Sequence, residues 1–571
     1  MKKLLTMLLA MLMIVSLAAC SSGNDTADST EETGFTVSAV LTSEPEWLDP
    51  SMISSVDGNT YVNHLFEGLL SYQPTGELAG SDPKMQSASL AYGQAESYEK
   101  TTDADGNTVW TFHLRDDIFW SDGQPVTAKD FEYSWKRICD PELAADYGYL
   151  LPDLGVVGGE EVYYNGGDAD LLAAKALDDK TFEVKLKSDL PFFNQIAAFG
   201  NLVPLRQDVI EKYGSTWVEP ANIVCNGPYV LSEWVHDSYI KMVPNDKYYK
   251  KDVVGPTALM FYLTDDENAQ IASYQSGEFD FIESMPSDMI PSLTASGDYY
   301  ALPAVTTYYV YLNTDHLTDW RARAAIALAI DRENIVVNVT QGGQQPAHSL
   351  VTGGITDSTG ALWQNGTDYD SALTYTLAQM YPEYDLTTYA GRCELAQALL
   401  AEAVADGFDV NQTVAYRFNN LGAHGQIAEA VQQDILTVLG LNATLDSTEW
   451  QVYTSTLSTN RDWSISRLGW QADYLDGSSF LDLFKTGNAY NYSNWSNPDY
   501  DALCNQYASM AGGADRDKVM YDAEKLLFGV NGFPVAPIYY YTNQYCLNQR
   551  VNGVCSSTLG FYLFTYCTEN K

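Results

Sequence analysis

The groups in this 571-residue chain that could do chemistry are eight cysteines, six histidines and 75 carboxylates. A catalytic reading needs some of them at defined spacings, and those spacings are missing. There is no Gly-Lys dipeptide and so no phosphate-binding P-loop; H-E-x-x-H and G-x-S-x-G are missing as well. His64, His113, His236, His316, His348 and His424 are scattered, with no two at the spacing of metal ligands. Apart from Cys20, the cysteines are Cys139, Cys225, Cys393, Cys504, Cys546, Cys555 and Cys567. None forms C-x-x-C, and an odd number cannot all pair internally, so neither a disulfide framework nor a zinc site is expected. A pair within Cys546, Cys555 and Cys567 stays open. Carboxylates are too many for counting to exclude an acid–base pair. The expectation is that the chain is not an enzyme and takes no cofactor and no metal.

Cys20 has a different chemistry. Lys2 and Lys3 precede an apolar stretch over 4–17, and small residues then lead to the cysteine. This is the pattern of a secretory signal, and its apolar run is too short to span a bilayer. LAAC at 17–20 resembles a bacterial lipobox, which implies cleavage before Cys20 and lipidation of its thiol. The next residues, SSGNDTADSTEETG over 21–34, are polar and acidic with no aromatic. They read as a flexible tether. With 75 acidic against 31 basic residues the formal charge is -44. That repels nucleic acid and anionic lipid and suits a soluble, exposed protein, here expected as a monomer. The 40 tyrosines and 12 tryptophans fit either half-buried sheet surfaces or a large amphipathic cleft.

The elements that must position any site alternate between strands and helices. Strand patterns fall at 35–41, 107–114, 181–187, 229–234, 413–418 and 465–470. Trp120 to Pro125 reads as a sharp turn. Thr127, with Asp130 three residues on, reads as the cap of a helix presenting Phe131, Tyr133, Trp135 and Ile138. Helical periodicity recurs over 321–339, 392–407 and 424–439. Residues 354–390 are weakly periodic and read as an irregular insertion. The pattern predicts α/β lobes.

Several segments together resemble the solute-binding proteins of peptide importers, the large oligopeptide-binding family. They are EPEWLDP (44–50) with LFEGLL (65–70), WTFHLRDDIFWSDGQPVTAKDFEYSWKRICDP (110–141), NGPY (226–229), AIDR (329–332), GWQADY (469–474), NYSNWSNP (491–498) and PIYYY (537–541). They run in family order over about 35–545. The resemblance implies a bilobal, class II periplasmic-binding-protein fold of the three-domain, hinged kind. Lobe I would comprise 35–66, 203–304 and 543–571, an inserted domain II 67–202, and lobe II 305–542. It also implies capture of short peptides for the permease and ATPase of an importer. Relatives also bind dipeptides, metal chelates or sugars, and a peptide-sensing surface receptor would look the same.

The resemblance further implies a site. In relatives the aspartate of the GWQADY motif, here Asp473, pairs with the peptide α-ammonium. Gly469, Trp470 and Gln471 belong to the same motif, Trp470 as a flat wall beside a side-chain pocket. Val56, Tyr147, Tyr309, Trp450 and Tyr541 align with cleft positions. Arg467 and His424 fall where relatives contact the peptide C-terminus. The chain departs from the family at Ser54, where some relatives are acidic, and at Gly477, where proline is usual.

Overall fold

The computed structural model describes residues 34–41, 44–79, 85–363, 371–457 and 459–570. The expected secretory signal, the expected lipidation at Cys20 and nearly all of the expected tether lie outside these. Among the described residues no helix is long and apolar enough to cross a membrane.

One large sheet organises the chain. Its strands are β1 (Thr36–Val40), β2 (Tyr229–Val235), β3 (Tyr239–Pro244), β4 (Ala258–Tyr262), β5 (Phe281–Ile282), β6 (Tyr299–Leu312), β7 (Val414–Asn419), β8 (Ala443–Thr448), β9 (Ile465–Gln471) and β10 (Val535–Leu547). They lie in the order β8-β7-β9-β6-β10-β5-β1-β4-β3-β2, with Gln345–Pro346 added beside β10. Apolar side chains gather in two large cores. One draws on residues 305–539 with Leu559 and Phe561. The other draws on 37–302 and 545–567, with Tyr474 inserted from far along the chain. Among the strands of this sheet, β6 and β10 run through both cores, so the two lobes share a pair of long strands. Between the lobes the β6–β10 register shifts, from Pro303 opposite Thr542 to Thr307 opposite Tyr540. Proline has no N–H for the ladder, which loosens the pairing at that point.

A separate antiparallel sheet of Ala95–Thr102, Thr108–Leu114, Thr181–Leu186 and Ala174–Ala176 carries the apolar side chains of the long motif. Against it packs α1 (Ala128–Ile138), whose buried face is Phe131, Trp135 and Ile138. Asp130 accepts from the Thr127 backbone N–H at 2.8 Å, completing the capping box read from sequence. The Trp120 and Trp135 rings are fully buried, so this motif builds core.

Two expectations are corrected. Helix 321–339 is broken: Trp320–Ala329 stops at Ile330 and restarts as Arg332–Asn334 and Ile335–Thr340. The Asp331 N–H is taken by Asp434 at 2.9 Å, and the buried Arg332 guanidinium donates to the carbonyls of Ala327, Ile330 and Pro537. The stretch 354–390 is not wholly irregular, because Ala372–Met380 is a helix with Leu373 and Leu377 buried. A pair between Cys555 and Cys567, left open by the sequence, is not formed: both are buried free thiols.

Candidate functional site

Strand β9 and its exit hold most of the candidate residues. In its register with β6, Tyr308 lies opposite Gly469 and Val310 opposite Arg467, while Thr307 lies opposite Trp470 and Tyr309 opposite Leu468. Side chains alternate along a strand and cross-strand partners share a face. Tyr308, Arg467 and Gly469 therefore occupy one face, Tyr309 and Trp470 the other.

On the first face Arg467 is 6% exposed. Its Nε donates to Asn419 Oδ1 at 2.7 Å, and its guanidinium sits 5.7 Å from the Tyr308 ring and 5.4 Å from the Trp450 ring. Both distances suit cation–π attraction. Among the described residues no carboxylate lies within 4.0 Å of it, although a buried cation ordinarily requires a partner. His424 is the first residue of α2 (His424–Leu439). Its ring lies 5.6 Å from that of Tyr308, and its Nδ1 is buried with no partner. Burial, with Arg467 beside it, holds His424 well below the usual imidazole range, so it is neutral at pH 7. Tyr539 stacks on Tyr308 at 4.7 Å, and Tyr541 covers the strand at Gly469. A Cβ at 469 would stand 3.1 Å from the Tyr541 ring, which is why glycine suits that position.

On the opposite face Trp470 is 7% exposed, meets Tyr490 edge-on at 4.8 Å and leaves its indole N–H without a partner. Asp473 follows just past the strand. Its backbone N–H donates to Ser479 Oγ at 2.9 Å, and its Oδ1 accepts from the Tyr147 hydroxyl at 2.8 Å. No cation pairs with it among the described residues. Burial pushes its carboxyl up to about 7, against the opposing Tyr147 hydrogen bond. A single neutral donor does not replace the water a carboxylate loses.

The Tyr147–Asp473 bond joins residues 326 positions apart. It is one of several ties between residues 147–195 and 473–512. Phe192 stacks flat on Tyr474, centroids 4.0 Å apart and planes 5° from parallel. Leu475 N–H donates to Gln195 Oε1 at 2.8 Å, and Ser188 Oγ to the Ala508 carbonyl at 2.8 Å. These contacts roof the ground beside Asp473.

The other candidates fall differently. Gln471 is tied into the fold, donating to the Leu559 carbonyl and accepting from Thr306. Trp450 is 38% exposed, with Arg467 against its ring. Tyr309 is fully buried, its hydroxyl bonded to that of Tyr311 at 3.1 Å; its neighbour Tyr308 is the one beside Arg467. Val56, also 38% exposed, opens the helix Val56–Leu65. Sequence reasoning missed Tyr308, Tyr490 and Ser479. Tyr308 and Tyr309 are chemically identical neighbours, and only the register with Gly469 tells them apart.

Two cores, two shared strands and a roofed polar site between them define a bilobal solute-binding protein. The family model for bacterial extracellular solute-binding proteins, family 5 (middle), matches residues 90–492, and the chain belongs to that family. The oligopeptide-binding protein OppA of Bacillus subtilis (strain 168) is 30% identical over 574 residues, covering 97% of each chain. The structure of the Escherichia coli murein tripeptide binding protein MppA superposes with a TM-score of 0.80 at 26% identity, over 94% of this chain and 99% of that one. The unliganded open form of MppA gives only 0.64 at the same identity and coverage. Listeria monocytogenes OppA bound to peptide gives 0.79 at 25% identity, over 94% and 100% of the two chains. The lobes here are thus set nearer to the peptide-bound relative than to the open one.

Proposed function

We propose that this protein captures short peptides outside a bacterial cell and delivers them to the permease and ATPase of an importer, without chemical change to the ligand. The observation that carries the reading is a pair of uncompensated, desolvated charges six positions apart along β9 and its exit, the Arg467 guanidinium and the Asp473 carboxylate. A peptide supplies both complements. Its α-ammonium donates to the free oxygen of Asp473, and its terminal carboxylate accepts from Arg467, with His424 as a neutral neighbour. Between them an extended backbone has a donor and an acceptor at each residue and can lie as an added strand, its side chains in roomy pockets walled by Trp470, Tyr308 and Tyr541.

The division into 35–66, 203–304 and 543–571, 67–202, and 305–542 fits the distribution of the two cores. Pro303–Thr307 and the facing part of β10 would then flex on closure. Tyr147 and Phe192 would reach the ligand side only in the closed state. Cys20 would carry the lipid that holds the protein at the outer face of the membrane.

The test is mass spectrometry of what the full-length protein, extracted in detergent, releases on denaturation. A mixture of short peptides with free N-termini is expected. A single non-peptide species would overturn the reading.

A further inference from the structure

The turn that carries Asp473 is held by side chains of one helix, α3 (Ala514–Leu527). Strand β9 ends at Gln471, and the Ala472 N–H still donates to the Val305 carbonyl at 2.9 Å. The chain then turns over 473–479 into the short helix Ser478–Leu481. Asp476 is the centre of that turn. Its Oδ1 accepts from the Ser478 N–H at 3.0 Å and from the Ser478 hydroxyl at 2.6 Å, and its backbone carbonyl accepts from the Ser479 N–H at 3.2 Å. Ser479 Oγ in turn accepts from the Asp473 N–H at 2.9 Å, so Asp476 reaches Asp473 through a single intervening residue.

Arg516, in the first turn of α3, grips that centre. Its Nη1 donates to Asp476 Oδ2 at 2.6 Å, its Nη2 to Asp476 Oδ1 at 2.9 Å, and its Nε to the Tyr507 carbonyl at 3.1 Å. The side chain is 2% exposed. A buried pair of this kind adds little net stability, because the cost of desolvating two charges offsets their attraction. What a forked grip on both carboxylate oxygens does fix is geometry. The guanidinium also lies 5.8 Å from the ring of Phe192, the residue stacked on Tyr474. The same helix braces the next residue of the turn. Further along α3, Glu524 accepts from the Trp363 indole N–H at 2.9 Å, from Ser349 Oγ at 2.8 Å and from the Leu350 N–H at 2.8 Å. The fully buried Trp363 ring, held in this way, is pressed against Gly477, where a Cβ would stand 2.8 Å from it. Positions 476 and 477 are thus both located from α3, one by an ion pair and the other by a pinned ring.

We propose that Arg516 and Trp363 are positioning residues, which hold the 473–479 turn so that the Asp473 carboxylate meets the ligand's ammonium in good hydrogen-bonding geometry. The inference rests on the peptide reading above. Hydrogen bonds weaken steeply with misalignment, so a turn free to shift by a fraction of an ångström loses part of the interaction while the rest of the site stays in place. Arg516 and Trp363 act only through Asp476 and Gly477. Their signature is therefore selective: discrimination in favour of a free amine is lost, and binding of the rest of the peptide is kept.

The experiment is calorimetric titration of the full-length protein, and of its Arg516→Lys and Gly477→Ala variants, with alanine peptides of three, four and five residues, each with a free and with an acetylated N-terminus. Lysine keeps the charge but cannot grip both oxygens of Asp476. Alanine at 477 meets no backbone strain, since φ there is -59°, and it only pushes the turn off the Trp363 ring. In each variant the ratio of free-amine to acetylated affinity should fall ~10-fold through weaker binding of the free peptide, with the acetylated peptide kept within ~3-fold. A purely structural role would move both peptides alike, through the folded fraction, or neither. An unchanged ratio in either variant overturns the inference while the peptide reading stands, and so does a loss shared equally by the two peptides. If the unaltered protein does not distinguish free from acetylated peptide, the amine reading of Asp473 falls and the inference falls with it. Should Arg516→Lys not fold, Gly477→Ala, which removes no hydrogen-bonding group, decides alone.

Discussion

Replacing Asp473 by Asn keeps the shape and the acceptor for Tyr147 but removes the charge. Removing one partner of a buried ion pair costs roughly 3–5 kcal/mol. Asp473 is only partly enclosed, so the lower end, about 3 kcal/mol or ~150-fold in Kd, is the expected loss at pH 7.5. The pH dependence follows from the carboxyl being raised to about 7 in the empty site. Binding an ammonium requires the ionised form, so affinity is fully present above pH 7 and is lost as pH falls below it. At pH 5.5, ionising the group costs about 2 kcal/mol, which narrows the gap between the native protein and Asp473→Asn to ~5-fold. Stability without peptide runs the other way. The raised carboxyl holds a proton in the folded protein that the unfolded chain gives up near its ordinary value, so it destabilises the fold increasingly as pH rises towards 7. Asp473→Asn should melt higher than the native protein at pH 8, and the difference should shrink at pH 5.5. Titration calorimetry at pH 7.5 and 5.5, and thermal melts at pH 8 and 5.5, measure all of this. A Kd ratio under about 3 at pH 7.5, or one that does not narrow at pH 5.5, would refute the reasoning.

Arg467→Met should abolish the preference for a peptide with a free C-terminal carboxylate over its C-terminal amide, measured by competition; a preference kept in the variant removes Arg467 from the site. Phe192→Ala deletes the flat stack on Tyr474. It should weaken peptide binding by about 1–2 kcal/mol through faster dissociation, visible by stopped flow, and unchanged dissociation would show that the roof adds nothing to holding the ligand. Thr127→Ala breaks a capping box far along the chain from β9. It should lower stability by about 1 kcal/mol in denaturant melts and leave peptide affinity as it was, and a change in affinity would contradict the purely structural role given to that motif.

The local elements were legible where local chemistry decides them. The capped helix Ala128–Ile138, the helix His424–Leu439 and the alternating strand Thr181–Leu186 stand where periodicity puts them. The break at Ile330 was not legible, because its cause is Asp434, about a hundred positions away, taking the Asp331 N–H. The helix Ala372–Met380 was hidden because Thr374, a polar residue, shares its buried face with Leu373 and Leu377. In the site, the residue types around β9 could be read, but their facing could not. Tyr308 and Tyr309 differ only in which side of the sheet they take, and that depends on register with a strand about 160 positions on. The Tyr147–Asp473 bond exists only once residues 326 positions apart are brought together.

The claim that a free peptide amine is what Asp473 holds has one direct measurement. The full-length protein is titrated with a peptide that binds it and with the same peptide acetylated at its N-terminus. Acetylation removes the positive charge and leaves everything beyond the first nitrogen intact. A loss of ~100-fold or more on acetylation is the expected result, and it should largely disappear in Asp473→Asn. Equal binding of the two peptides would mean that the buried carboxylate serves something other than the peptide N-terminus.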